Sequence, residues 1–148
     1  MASFQYSFQK VVDLKASEKM QAEWILSTAI GALAAEELTL EQLCSERENW
    51  EKKLHEASRS SVSLHELQTI QHYLDHLLSC IASKTTDVAH ARKTVDQSRM
   101  KLADKMKDEK VWLKAKEHAR EKFQYAMQLK DQNELDELAC VRFTLSTT

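Results

Sequence analysis

Residues 60–67 read Ser-Ser-Val-Ser-Leu-His-Glu-Leu, the least helical stretch near the middle of a 148-residue chain with no proline and one glycine. Almost nothing else in the sequence could stop a helix. Ser63-Leu64-His65-Glu66 has the form of a capping box: the serine oxygen accepts from the N–H of Glu66, and the glutamate reaches back to the N–H of Ser63. Val62 precedes the cap and Leu67 lies four residues into the helix, the spacing of a hydrophobic staple. Upstream, Ser58, Ser60 and Ser61 lower helix propensity. The chain is therefore expected to turn over residues 58–63. A first helix runs from about residue 6 to 57, a second from about 64 to 141, and residues 142–148 form a frayed tail.

Both flanks of the turn carry a heptad. Before it stand Leu26, Ala29, Leu33, Glu36, Leu40, Leu43, Arg47, Trp50, Leu54 and Ala57. After it come Leu67, Ile70, Leu74, Leu77, Ile81, Lys84, Val88, Ala91, Val95, Ser98 and Leu102. Spacings alternate between three and four, the coiled-coil pattern. A connection this short makes the two helices antiparallel neighbours. The fold class is all-α: a single antiparallel two-helix coiled-coil hairpin, with helix two longer than helix one. Residues equidistant from the turn should face one another: Leu54 and Leu67, Leu40 and Ile81, Leu33 and Val88, Leu26 and Val95. Ser27, Gly31, Ala35, Ala89 and Ala91 are small enough to let the backbones approach. For Gly31 the other reading is a tolerated helix glycine, costing about 1 kcal/mol against alanine. At 1.5 Å per residue the helices span roughly 75 and 115 Å, so helix two overhangs by about five turns. Phe4, Tyr6, Phe8, Trp112, Phe123 and Tyr125 gather towards the open end. Phe8 and Trp112 are expected to clamp it, with Phe123 and Tyr125 left open.

Composition excludes several classes of function. Hydrophobic residues make up 43% and charged residues 30%, too apolar for a disordered tail and too charged for a deep globular core. A net charge of −2 provides no field for nucleic acid. The longest uncharged run, Trp24 to Ala35, is short of the roughly 20 residues that span a bilayer. No signal peptide is expected, and Cys44, Cys80 and Cys140 read as free thiols in a reducing cytosol.

Chemistry is sparse. His72 and His76 stand one turn apart beside Asp75, but no third ligand follows at matching spacing, which argues against a metal. His65-Glu66 begins like a zinc-protease motif and fails at Thr69. Glu-x-x-His, a phosphate loop and a nucleophile elbow are all missing. Two helices also make no water-excluding pocket. The expectation is a non-enzyme without cofactor. Charge is more informative: residues 99–122 carry Arg99, Lys101, Lys105, Lys107, Lys110, Lys114, Lys116, Arg120 and Lys122 against five acids. That is either a solvated face or a shaft complementary to an acidic partner.

The run from Phe4 to Lys15, FQYSFQKVVDLK, followed by Glu18-Lys19 and Gln21-Ala22-Glu23-Trp24, resembles the start of FliJ proteins, especially those of Gram-positive bacteria. The resemblance continues through ERENWEKKL (46–54), SLHELQTIQHYLDHL (63–77), DEKVWLKAKEHA (108–119) and NELDELACVRF (133–143). FliJ is a small component of the flagellar type III export apparatus. The resemblance implies a stalk-like coiled coil that inserts into the hexameric export ATPase FliI, promotes its hydrolysis, contacts the cytoplasmic domain of the export gate protein FlhA and escorts export chaperones. It implies a place in the cytoplasm, peripheral to the cytoplasmic side of the cell membrane. The positions it implies for gate binding are Leu43, Trp50, Tyr73, Leu77 and Cys80. Glu46, where an aromatic can occur, and Lys84, where a histidine can, depart from the family. Tyr73 and Cys80 lie off the helix-two seam and are expected to face the partner. At the open end Lys110, Lys114, Lys116 and Phe123 are expected to meet the ATPase. The alternatives are a passive chaperone or adaptor for export substrates, and the equivalent coiled coil of a virulence secretion system.

Overall fold

A computed structural model describes residues 2–146. It consists of two helices: α1, Gln9–Arg59, and α2, Leu64–Ser146. Of these, α2 is the longer, with 83 residues against 51, and no strand occurs among the described residues. Contacts divide the chain into two compact units, Met1–Met20 with Asp104–Thr148, and Gln21–Ala103.

The Gln21–Ala103 unit contains the turn. Ala57 O accepts from Ser60 N at 3.3 Å and Ser60 O from Val62 N at 2.9 Å, closing the chain after Arg59. Ser63 then caps α2: its Oγ accepts from Glu66 N at 3.3 Å, and its carbonyl accepts from Leu67 N at the same distance. The return bond from the Glu66 carboxylate to the Ser63 amide is absent among the described residues, so only half of the expected box is made. Every residue of both heptads in this unit is buried or half-buried, and Leu74, Leu77, Val88 and Val95 are the most enclosed. The four expected facing pairs all lie on this shielded seam.

Three seam positions are charged: Glu36 and Arg47 in α1 and Lys84 in α2, and Glu36 and Lys84 pair across the helices. Lys84 Nζ meets Glu36 at 2.9 Å and Asp87 at 3.5 Å. The hydrogen bond to Glu36 raises the Lys84 pKa above its ordinary value, against a smaller opposing effect of desolvation. A charged pair on an apolar seam is a register device, because sliding either helix strands a charge between aliphatic side chains.

Small residues contribute less to helix approach than the sequence suggested. Ser27, Gly31, Ala35 and Ala89 are exposed, and only Ala91 is half-buried on the seam. A Cβ on Gly31 would meet nothing within 4 Å. The packing role for Gly31 is therefore wrong: five residues on from Leu26 and two before Leu33, it falls on the outer face.

In the Met1–Met20 and Asp104–Thr148 unit, α1 begins at Gln9 rather than near Tyr6. Gln9 N donates to Tyr6 O at 3.1 Å, and Val11 N and Val12 N both donate to Phe8 O. The preceding residues are not helical, and their aromatic rings pack on rings of α2 or on one another instead. The helix also extends past residue 141. Residues 142–146, expected to fray, are helical, with Thr144 Oγ1 donating to Cys140 O and Ser146 Oγ to Phe143 O. No glycine or proline stands there to stop it. Thr147 and Thr148, also placed in the frayed tail, lie outside the described residues. From residue 128 to residue 146 every side chain is exposed, about five turns of α2.

Candidate partner-binding surfaces

The first surface lies on the flank of the hairpin near the turn. Tyr73 precedes Leu74 on α2, so its ring leaves the seam sideways and meets α1. Its centroid is 4.6 Å from that of Trp50, with the rings tilted at 52°, and its hydroxyl donates to the Glu46 carboxylate. That bond, reinforced by desolvation, raises the phenol pKa above 10.0. Tyr73 is thus half-buried and held by the first helix. The expectation of a side chain that the hairpin does not bury needs correcting. Residues beside a coiled-coil seam cross to the partner helix, because an antiparallel pair sets matching flanks against each other.

Around this pair the surface is mixed. Lys53 Nζ stands 4.4 Å from the Trp50 ring centroid, a cation–π contact. His76 approaches the Tyr73 ring at 6.4 Å, and its Nε2 lies 3.6 Å from Cys80 Sγ. Leu43, Trp50 and Cys80 are half-buried and keep a surface to offer. Leu77, at 2% exposure, has none: it is core beneath the patch. Of the five positions expected to touch the gate, the structure brings Trp50 and Tyr73 into contact, sets Cys80 on His76, and leaves Leu77 to packing. Sequence reasoning missed Glu46, Lys53 and His76. Glu46 was legible as a partner for Tyr73, since both residues precede a seam residue and lie near the same distance from the turn.

The second surface belongs to the Met1–Met20 and Asp104–Thr148 unit, where the apolar seam gives way to charge. Lys15 Nζ lies 2.8 Å from Asp108 and 3.7 Å from Glu18, Lys105 Nζ reaches Glu18 at 3.2 Å, and Lys19 Nζ reaches Glu109 at 3.1 Å. The Lys15 pKa is raised, chiefly by its hydrogen bond to Asp108. Beyond this ionic segment come the aromatics. Phe8 meets Trp112 edge-on at 5.9 Å, Tyr6 meets Phe8 at 5.8 Å, and Phe4 lies against Phe123 at 5.5 Å. Phe123, left open by the sequence, is part of the clamp, whereas Tyr125 is exposed. Lys110 and Lys114 project into solvent. Lys116 is half-buried and lines a shallow groove with Arg120, Phe4, Gln5, Tyr6 and Gln9.

Neither surface resembles a reaction centre. Three His, Cys, Asp or Glu side chains placed to hold a metal occur nowhere among the described residues, and His72 and His76 are both exposed. Cys44, Cys80 and Cys140 are free thiols. No helix of the described residues is long and apolar enough to cross a membrane.

Comparison with known proteins bears on the fold and the family. The chain superposes on the solved structure of CT670, a YscO homolog from Chlamydia trachomatis, with a TM-score of 0.67 over 98% of each chain and 16% sequence identity. At that identity the likeness concerns the fold. A search of curated proteins finds no match. Among protein families, the match is to the Flagellar FliJ protein over residues 4–147. This two-helix chain belongs to the FliJ family.

Proposed function

We propose that the chain is the coiled-coil coupling component of flagellar type III export, a protein that acts on an ATPase and a gate and performs no chemistry of its own. The observation that carries this reading is the family match over residues 4–147. In it, the unit holding Lys110, Lys114, Lys116 and Phe123 binds the hexameric export ATPase. The exposed lysines attract an acidic rim, and the aromatic clamp keeps the entering segment closed. The flank of Leu43, Trp50, Tyr73 and Cys80 meets the cytoplasmic domain of the export gate, with Leu77 supporting it from beneath. Chaperone escort uses the same protein in transit, at the cytoplasmic side of the membrane.

The test is the steady-state ATP turnover of the cognate export ATPase with and without the full-length chain. Stimulation that saturates near one chain per hexamer is expected. Turnover unchanged across a titration that still shows binding to export chaperones would replace this reading with that of a passive adaptor.

A further inference from the structure

We infer that the outer face of α1 between Trp24 and Leu38 docks on the same face of a second copy of this chain, antiparallel and centred on Gly31. The inference is independent of the export reading. It explains the uncharged run of residues 24–35, which neither partner-binding surface uses.

The face is defined by the seam it avoids. Leu26, Ala29, Leu33 and Glu36 point at α2, so Trp24, Ser27, Thr28, Gly31, Ala34, Ala35 and Leu38 occupy the opposite side. All seven are exposed, Trp24 by 72% and Leu38 by 56%. The outer sides of soluble helices are normally charged. This one carries no charge for about four turns, with a tryptophan at one end and a leucine at the other. Elsewhere on the same outer line stand Ser17, Ser45, Lys52 and Arg59.

The occupant follows from symmetry. A two-fold interface uses one patch twice, so residues equidistant from the axis must suit each other. About Gly31, Trp24 faces Leu38 of the other copy, Ser27 faces Ala35, and Thr28 faces Ala34. The large apolar groups thus meet at the two ends and the small residues meet in the middle. At the axis the glycines let the backbones approach, since a Cβ there would enter empty space. Charge selects the direction. Antiparallel docking sets Glu23 against Thr39 and Glu41 against Gln21, whereas parallel docking would set each glutamate against itself. The contact is about 22 Å long and one helix wide, smaller than the roughly 800 Å² per partner of a standard interface. The dimer is therefore weak and reversible.

Sedimentation of the full chain from micromolar to near-millimolar concentration should show a monomer–dimer equilibrium. Gly31→Glu should raise its dissociation constant at least about tenfold. The variant should keep or increase its helix content, because glutamate is the better helix former. Ser45→Glu, on the same outer line beyond the patch, should leave association unchanged. Orientation is read by oxidation after Cys44, Cys80 and Cys140 are replaced by serine. Ser27→Cys mixed with Ala35→Cys should give mainly the mixed disulfide. A chain that stays monomeric throughout, leaving this face to a different protein, overturns the inference. So does a dimer indifferent to Gly31→Glu, or predominant self-linking of Ser27→Cys.

Discussion

The phenol of Tyr73 on α2 donates to the carboxylate of Glu46 on α1, so the aromatic expected to be the most available near the turn is also a tie between the helices. Packing and partner contact therefore share one side chain. Tyr73→Ala should lower the thermal midpoint as well as gate binding, because it removes both the Trp50 contact and the tie. Tyr73→Phe keeps the ring and loses only the tie. It should retain most gate binding with a smaller loss of stability, measured by thermal melts alongside binding to the gate's cytoplasmic domain. Full gate affinity in Tyr73→Ala would remove Tyr73 from the proposed contact.

The same tie sets an alkaline limit. The Tyr73 pKa is raised above 10.0, first by the Glu46 hydrogen bond, so the neutral phenol is the form the fold favours. Its contribution is complete below pH 10 and is lost as pH rises through the folded value. Above pH 10 the wild-type melting temperature should fall more steeply than that of Tyr73→Phe. Glu46→Gln should let the Tyr73 phenolate form at lower pH, which its ultraviolet absorbance reports.

Removing the cap at Ser63 should cost about 1 kcal/mol. Glu66→Ala should cost less, since the Glu66 amide does the bonding and its carboxylate makes no return bond. Urea unfolding of both variants measures the difference.

On the seam, Glu36→Leu alone should destabilise the hairpin by leaving Lys84 with only its longer contact to Asp87. Glu36→Leu combined with Lys84→Leu should recover the loss and raise the melting temperature above wild type. The non-additivity of the double-mutant cycle is the decisive reading.

Salt should act unevenly. Four ion pairs among Lys15, Glu18, Lys19, Lys105, Asp108 and Glu109 stand where the other unit has aliphatic side chains. All are partly solvated, so screening weakens them. Amide hydrogen exchange at residues 9–20 should accelerate from low to 1 M salt (a Debye length of about 3 Å), while residues 67–95 change little. Lys110→Glu, Lys114→Glu and Lys116→Glu combined should weaken ATPase binding most at low salt. Unchanged low-salt affinity would remove the electrostatic part of that contact.

The seam was legible because its signal is redundant: twenty-one positions repeat one three–four alternation, and each is shielded in the structure. Ser63 was legible because a cap is local chemistry. What escaped depends on the angle around a helix rather than on residue type. Gly31 reads as a close-approach residue until the seam is drawn, when it falls on the far side. Tyr73 reads as free because one helix alone places it beside the stripe, while Glu46 on the other helix captures it. The start of α1 escaped because the residues from Phe4 to Phe8 have no helix breaker among them. They leave the helix through packing on Trp112 and Phe123, rings distant in sequence.

That distance has a consequence during synthesis. Phe8 leaves the ribosome about a hundred residues before Trp112. At about 5–20 residues per second, its ring waits roughly 5–20 seconds for a partner. Until then Phe4 and Phe8 are rings without their α2 partners on a growing chain, open to any chaperone that meets them. A segment translated before α2 finds its place only after much of α2 has emerged.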